Sequence, residues 1–159
     1  MLKKVTNRRT KGRGGRFAIV ASRYNARYVD SMLRAAKSEL TRSGASEIRV
    51  VRVPGAYEVP VATAALARQG SWSAIICLGV ILRGATTHAQ HIGEAVSAEL
   101  ARIAVEIGVP VIHEVLLLEN EQQAIERCLG AKFNRGIEAA RTALEMARVM
   151  RSLSRVASE

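Results

Sequence analysis

Short apolar runs alternate with longer amphipathic segments along the chain from Phe17 onward. Four apolar runs predict β-strands over residues 17–21, 48–53, 73–78 and 111–117. Apolar residues spaced three or four positions apart, with glycines near several ends, predict helices over 26–43, 58–69, 88–107, 121–129 and 134–153. Strands that alternate with helices indicate an α/β fold in which a parallel sheet is covered on both faces.

The composition is that of a globular protein and excludes several classes. The chain has 159 residues, of which 48% are hydrophobic and 24% charged, so neither a disordered nor a collagen-like chain fits it. No apolar run approaches the roughly 20 residues of a membrane span, and the basic N-terminus lacks the apolar segment of a secretion signal. Cys77 and Cys128 match no metal-ligand spacing, which indicates a reducing compartment. We therefore expect a cytoplasmic protein that does not span a membrane.

The net charge of +10 is distributed unevenly along the chain. Residues 1–16 contain seven basic residues and no acid, so residues 17–159 carry a net charge of only +3. Because residues 1–16 are polar, glycine-rich and unable to bury apolar surface, the sequence predicts a basic, mobile N-terminal arm there and a single domain over 17–159. Such an arm is typical of a solvated tail or of a segment that packs on a neighbouring subunit. Any nucleic-acid binding would use this arm alone.

Two tyrosines follow the first two predicted strands. In doubly wound sheets, ligands bind beyond the carboxyl ends of the strands. The chain has only six aromatic residues, yet Tyr24 and Tyr57 both lie in such loops. Their position predicts either a flat ring for stacking or the wall of a pocket, and ordinary packing is the alternative for each.

The predicted loop over 79–87 contains a candidate phosphate site. Its two glycines resemble the start of a nucleotide-binding loop, but Ala85 and Thr86 occupy the positions where that loop needs Lys followed by Ser or Thr. An ATPase is therefore not supported. Gly84, two hydroxyl groups and the N-terminus of the next helix can instead hold one phosphate, because free N–H groups and the helix dipole favour an anion. The alternative is that Thr86 or Thr87 only caps that helix.

Several ionisable residues are candidates for the chemistry. His88 begins the helix predicted over 88–107, whose dipole disfavours the protonated ring, so a neutral imidazole can relay a proton near pH 7. His91 follows three residues later, but two histidines without a third ligand are weak evidence for zinc, and we predict no metal site. Glu58 is either a first-turn acid or a ligand-binding group. Arg127 and Arg135 form either a solvated basic face or the second half of an anion clamp.

The order of these loops resembles the lumazine synthase family from about Arg16 to Met150. The matching segments are Ser22–Asn25, Val53–Pro60, Leu78–His88, Glu119-Asn120 with Gln123–Arg127, and Asn134–Gly136 with Ala139-Ala140 and Glu145-Met146. The resemblance implies a flavodoxin-like three-layer sandwich with a four-stranded parallel sheet in the order 2-1-3-4. It also implies that 5-amino-6-ribitylaminouracil condenses with 3,4-dihydroxy-2-butanone 4-phosphate to 6,7-dimethyl-8-ribityllumazine, phosphate and water, without a metal or organic cofactor.

The resemblance also assigns roles to residues. Tyr24 would stack on the pyrimidine ring, and the ribityl chain and ring edge would be held by Asn25, Ala56, Tyr57 and Glu58. The ring pocket would be lined by Val80 and Ile81. The phosphate would be bound by Ala85 and Thr86, and clamped by Arg127 of an adjacent subunit with Arg135 near it. His88 would transfer protons.

Two departures from the family pattern lie on the fourth predicted strand. His113-Glu114 stands where relatives commonly have Phe-Gly, on the strand that closes a neighbour's pocket, and Leu117-Leu118 replaces a pair that is often Thr-Thr. The ring of His113 can still stack on the pyrimidine, whereas the carboxylate of Glu114 introduces a charge there.

The resemblance further implies a homo-oligomer, either a pentamer or a sixty-subunit shell built from pentamers, with active sites between subunits. Two alternatives are a riboflavin synthase of the same fold, which would need no phosphate site, and a basic nucleic-acid-binding protein on this scaffold.

Overall fold

The computed structural model describes residues 14–158. Its strands are β1 (Arg16–Ser22), β2 (Glu47–Val53), β3 (Ala74–Leu82) and β4 (Val111–Leu118). Its helices are α1 (Ala26–Arg42), α2 (Val59–Gln69), α3 (His88–Ile107), α4 (Glu121–Cys128) and α5 (Arg135–Val156), and a 3₁₀ turn over Ala56–Glu58 precedes α2. Most of the arm predicted over 1–16 lies outside the described residues, and Arg16 is the first residue of β1.

The four strands form one parallel sheet in the order β2-β1-β3-β4. The predicted α/β class and the strand order 2-1-3-4 are therefore confirmed. The chain leaves β1 for β2 on one side of it and later returns to β3 on the other side. The carboxyl ends of β1 and β3 thus flank the point where strand order reverses, where open α/β sheets bind ligands.

Helices cover both faces of the sheet, which makes the molecule a three-layer sandwich. Successive side chains of a strand point to opposite faces. Ile19 and Ile76 accordingly pack in one core with α1, α4 and α5. Val20 and Cys77 pack in a second core with α2 and α3. Both cores are fully buried at these positions, so the strands and helices that carry the loops are held from two sides.

The packing of α5 on α1 depends on a glycine. A Cβ atom at Gly136 would overlap the main chain of Met32 in α1. Asn134 caps α5 through its side chain, which accepts a hydrogen bond from the Gly136 N–H at 2.8 Å. The side-chain nitrogen Nδ2 of Asn134 also donates to the Cys128 carbonyl at 2.6 Å. These contacts fix the start of α5, and with it Arg135, relative to α1 and α4.

The predicted loop over 79–87 is wrong for its first four residues. Residues Gly79–Leu82 continue β3 and pair with Val115–Leu118 of β4. A Cβ atom at Gly79 would lie only 3.1 Å from Val115 Cγ1, so glycine permits this close pairing. The true loop is therefore short, and it places Ala85 and Thr86 directly before α3.

Two further observations concern the whole described range. No helix within residues 14–158 is both long and apolar enough to cross a bilayer. Cys77 and Cys128 are both buried and free. Burial raises the pKa of the Cys77 thiol to about 12, so it is unreactive at neutral pH.

Candidate active site

A cleft of about 590 Å³ lies between the ends of β1 and β2 and the first half of α3. It is lined by Tyr24, Gly55, Ala56, Tyr57, Glu58, His88, His91, Ile92 and Ala95. Five of the residues singled out in the sequence thus lie at one place: Tyr24, Ala56, Tyr57, Glu58 and His88. They come from three separate segments of the chain, which only the parallel sheet places side by side.

The two tyrosines of the cleft are exposed. Tyr24 retains 67% and Tyr57 64% of its accessible surface, although large aromatic rings usually pack in a core. The alternative of ordinary core packing therefore does not describe them in the single chain. Their rings are available to a flat ligand, because an aromatic face prefers to be covered by another ring or an apolar group.

Gly55 allows the Tyr24 ring to lie against the turn after β2. A Cβ atom at Gly55 would lie 2.8 Å from Tyr24 Cδ2 and 3.0 Å from Glu58 Oε2. The Gly55 N–H donates to Glu58 Oε2 at 2.9 Å, and the Tyr24 N–H donates to the Pro54 carbonyl at 3.0 Å. Glu58 therefore has the first-turn role considered from the sequence and also lines the cleft. Its carboxylate is held in place before any ligand arrives.

Asn25 connects the loop after β1 to the end of β3. Its backbone adopts the left-handed conformation (φ 58°, ψ 41°), which asparagine tolerates better than most residues. Its side-chain nitrogen donates to the Val80 carbonyl at 2.7 Å. The side chains of Val80 and Ile81 are buried, the first in the α1 core and the second in the α3 core. Neither side chain lines the cleft of its own chain.

The segment before α3 is exposed and its helix end is open. Ala85 and Thr86 are exposed. Thr87 at the N-cap makes no side-chain capping hydrogen bond, and the His88 N–H reaches Thr86 Oγ1 only at 3.4 Å. Capping by a threonine is therefore weak within the described residues. The first N–H groups of α3 remain available to an anion, which the helix dipole also favours.

Arg83 braces the same segment. Its Nη2 donates to Gln90 Oε1 at 2.9 Å, and its Nε lies 3.1 Å from Glu119 Oε2. Its backbone N–H donates to the Leu118 carbonyl at 2.8 Å. These contacts tie the segment to α3 and to the end of β4. Arg83 is thus occupied in holding the segment that contains Ala85 and Thr86.

Both histidines of α3 face the cleft. His91, Ile92 and Ala95 follow His88 by three, four and seven residues, so all four share one face of the helix. We considered His91 from the sequence only as a metal ligand, and its helical spacing from His88 was the signal that it shares the cleft. Within residues 14–158, no group of three metal-ligating side chains is found.

Glu114 and Arg135 form a partly buried ion pair away from the cleft. Arg135 Nε and Nη2 each lie 3.0 Å from an oxygen of Glu114, and Arg135 Nη1 also binds Glu138. Glu114 is only 6% exposed. Burial raises the pKa of the Glu114 carboxyl above its ordinary value, and Arg135 offsets this only in part. Glu114 and His113 point to opposite faces of β4, so the carboxylate does not share the face of the His113 ring.

Arg127 has different surroundings from Arg135. It is exposed in the last turn of α4, and although its charge acts on Glu114, it forms no salt bridge within the described range 14–158. Its guanidinium therefore remains free to bind an anion. Neither Arg127, Arg135 nor His113 is among the residues lining the cleft of the same chain.

Known proteins resemble this chain over nearly its whole length. Residues 14–151 match the model of a protein family described as 6,7-dimethyl-8-ribityllumazine synthase. The chain is 43% identical over 145 residues to a protein of that name from Desulfotalea psychrophila, and the match covers 90% of this chain and 94% of the relative. Every candidate site residue lies within the matched range.

Proposed function

Because the chain belongs to the 6,7-dimethyl-8-ribityllumazine synthase family, we propose that the cleft beside α3 binds the pyrimidine substrate and that the start of α3 binds the phosphate of the ketone substrate. The chain condenses 5-amino-6-ribitylaminouracil with 3,4-dihydroxy-2-butanone 4-phosphate and releases phosphate and water, a transferase step of riboflavin biosynthesis. The observation that supports the placement best is the cleft that joins two exposed tyrosines to His88.

On the pyrimidine side, Tyr24 stacks on the ring of the substrate. The carboxylate of Glu58 and the side chains of Asn25 and Tyr57 hold the ribityl hydroxyls and the ring edge, with Ala56 beneath them. The Asn25 bond to the Val80 carbonyl and the Gly55 bond to Glu58 support this proposal, because both polar side chains are oriented in the absence of substrate. Residues Val80 and Ile81 contribute the end of β3 on which this pocket is built.

On the phosphate side, the N–H groups at the start of α3 and the Thr86 hydroxyl bind the ester, near Ala85. Arg127 of an adjacent subunit clamps the anion. Its lack of an ion pair within the described residues supports this role. Arg135 lies near Arg127 in the assembled site, but two carboxylates already bind its guanidinium. Arg127 is therefore the arginine that supplies charge to the phosphate.

These groups match the chemistry of the condensation. The substrate's own ring amine attacks the ketone, so a Schiff base forms without a protein nucleophile. Elimination of phosphate then leaves negative charge on the departing group, which the helix N-terminus and Arg127 stabilise. His88 moves the protons for elimination and ring closure, since its ring lines the cleft and an imidazole nitrogen can accept and return a proton.

We further propose that the protein is a cytoplasmic homo-oligomer with active sites between subunits. Arg127 and His113 do not line the cleft of their own chain, so a neighbour's copies are needed to complete it. A pentamer, or a sixty-subunit shell of pentamers, supplies such neighbours in a closed arrangement. The free cysteines Cys77 and Cys128 support the cytoplasmic location. Any nucleic-acid binding would be confined to the basic residues 1–16.

The activity is tested by giving the purified protein each substrate alone, both substrates together, and lumazine alone. We expect the lumazine chromophore and free phosphate only when both substrates are present. Lumazine supplied alone should yield no riboflavin. Riboflavin formation from lumazine would instead favour the alternative of a riboflavin synthase. RNA binding by a protein that forms no lumazine from the two substrates would favour the nucleic-acid-binding alternative.

A further inference from the structure

Both ring nitrogens of His113 are engaged in hydrogen bonds within the chain. The Val115 N–H donates to His113 Nδ1 at 3.1 Å. His113 Nε2 lies 2.7 Å from the Ser97 hydroxyl on α3, and this hydroxyl lies 2.8 Å from the Gly93 carbonyl. His113 is exposed at the edge of the sheet, yet no ring edge is left for another partner.

The directions of these bonds determine where the ring proton lies. A neutral imidazole carries one N–H, and Nδ1 cannot carry it because Nδ1 faces the Val115 N–H. The proton is therefore on Nε2, which donates to the Ser97 oxygen. The single Ser97 hydrogen then points to the Gly93 carbonyl, which can only accept. Each donor in this chain of three bonds has an acceptor, and partial desolvation of the ring also lowers the pKa of His113.

We propose that Ser97 is a positioning residue that holds the His113 ring as the neutral Nε2–H tautomer, so that only the face of the ring is available to the pyrimidine in a neighbouring subunit's site. This inference rests on the proposed function for the place of His113 beside the pyrimidine. Both nitrogen-bearing edges of the ring are used inside the chain. His113 therefore contacts the pyrimidine only by stacking and gives it no hydrogen bond. The neutral ring of His113 can thus take the place of the phenylalanine that relatives commonly have there, without introducing a charge.

The tautomer can be measured without activity. The chain has only three histidines, so magic-angle-spinning NMR of the intact assembly with ¹⁵N-labelled histidine gives few signals. At pH 7.5 we expect the signal lost in His113→Phe to be that of a pure Nε2–H tautomer. Without the Ser97 bond the ring is free to turn away from the Val115 N–H, so Ser97→Ala should convert this signal to a mixture of tautomers. A mixture in the wild type, or an unchanged signal in Ser97→Ala, would overturn the proposal.

A kinetic measurement tests the positioning role. Ser97→Ala should raise KM for the pyrimidine by about 2-fold to 12-fold, the range for one lost hydrogen bond, while kcat and KM for the ketone phosphate stay unchanged. Ser154→Ala is a matched control, because its hydroxyl makes the same kind of bond to the Met150 carbonyl without a histidine partner. It should leave both KM values unchanged.

The double variant His113→Phe/Ser97→Ala separates positioning from a general structural effect. A phenylalanine ring needs no hydrogen bond to Ser97, so the pyrimidine KM should equal that of His113→Phe alone. Two outcomes would contradict the proposal. One is an equal increase of both KM values in Ser97→Ala. The other is a pyrimidine KM in the double variant that is raised as much as in Ser97→Ala. Failure of the proposed function is recognised separately, since the wild type would then form no lumazine while the NMR result would still stand.

Discussion

At the residue scale, neighbouring carboxylates distinguish two arginines that look equivalent in the sequence. Both Arg127 and Arg135 were candidates for an anion clamp. Arg135 is bound by Glu114 and Glu138, whereas Arg127 makes no ion pair with any of residues 14–158. A guanidinium already held by two carboxylates attracts a phosphate weakly, because their charges more than cancel its own. We therefore expect Arg127 to bind the phosphate more strongly than Arg135.

Replacement of His88 by alanine tests the proton-transfer role. We expect turnover to fall by about 100-fold to 10,000-fold, the usual contribution of a positioned acid or base. His91→Ala is the control, since His91 lines the same cleft from the same helix face. Steady-state rates of lumazine formation measure both variants. Equal losses in the two would show that His88 has no special part in proton transfer.

Replacement of Arg135 by alanine should give a stability loss that depends on pH. The folded-state pKa of Glu114 is raised, so the stability linked to this group is fully present below its ordinary value of 4.5 and is lost as the pH rises through the folded-state pKa. Without Arg135 the buried carboxylate is left without its partner, and the free energy of unfolding should drop by about 3 kcal/mol at pH 7.5. The drop should be smaller at pH 4, where Glu114 is protonated.

Denaturant unfolding of wild type and Arg135→Ala at both pH values, at one protein concentration, measures this difference. Arg148→Ala serves as the control, because Arg148 pairs with the more exposed Glu145 on the outer part of α5. A deficit of the same size at pH 4 and pH 7.5 would mean that Arg135 stabilises the fold by packing alone.

At the element scale, the cleft depends on how closely two loops approach each other. The loop after β1 is tied to β3 by Asn25 and to the end of β2 by hydrogen bonds from Arg23 and Tyr24 to the Pro54 carbonyl. The turn after β2 leaves room for the Tyr24 ring only because residue 55 has no side chain. The shape of the cleft is thus set by backbone proximity as much as by the side chains that line it.

Gly55→Ala should therefore weaken binding of the pyrimidine. The new methyl group overlaps the Tyr24 ring, and relieving such an overlap costs on the order of 1 to 3 kcal/mol, so KM for the pyrimidine should rise about 5-fold or more. KM for the ketone phosphate should stay near that of the wild type. Gly130→Ala is the control, because the nearest atom to its new methyl group would be 3.7 Å away. An unchanged pyrimidine KM in Gly55→Ala would argue against stacking on Tyr24.

At the scale of the whole molecule, the single chain holds only part of the proposed site. The cleft contains His88, Tyr24 and Tyr57, whereas His113 on β4 and Arg127 on α4 lie outside its lining. In a closed ring each subunit can give its cleft to one interface and its β4–α4 surface to the next. Such an arrangement makes catalysis a property of the assembly.

Co-assembly of two inactive variants tests this sharing. His88→Ala and Arg127→Ala should each be impaired alone, yet a mixture unfolded and reassembled at equal amounts should recover about a quarter of the wild-type sites, since each site draws the two residues from different chains. The rate of lumazine formation before and after reassembly is the measurement. Sites built within one chain would instead recover no activity, because every subunit would lack one of the two residues.

Much of the fold could be predicted from local patterns. Alternation of apolar residues distinguished strands from helices, and the order of polar loops placed Tyr24, Tyr57, Glu58 and His88 at one edge of the sheet. The end of β3 could not be predicted in this way. Gly79 reads as the start of a loop, but pairing with Val115 extends the strand by four residues. Pairing between distant strands overrode the local signal of a glycine.

What the sequence determined by itself is the layer architecture and which side chains follow each strand, because both depend on periodicity along the chain. The tertiary structure alone decided that Glu114 binds Arg135, that Arg127 is left free among the described residues, and that Ser97 orients the ring of His113. These partners are 16 to 21 residues apart in the chain. Their charges and hydrogen bonds act over a few ångströms, so they interact only after the sheet and helices have brought them together.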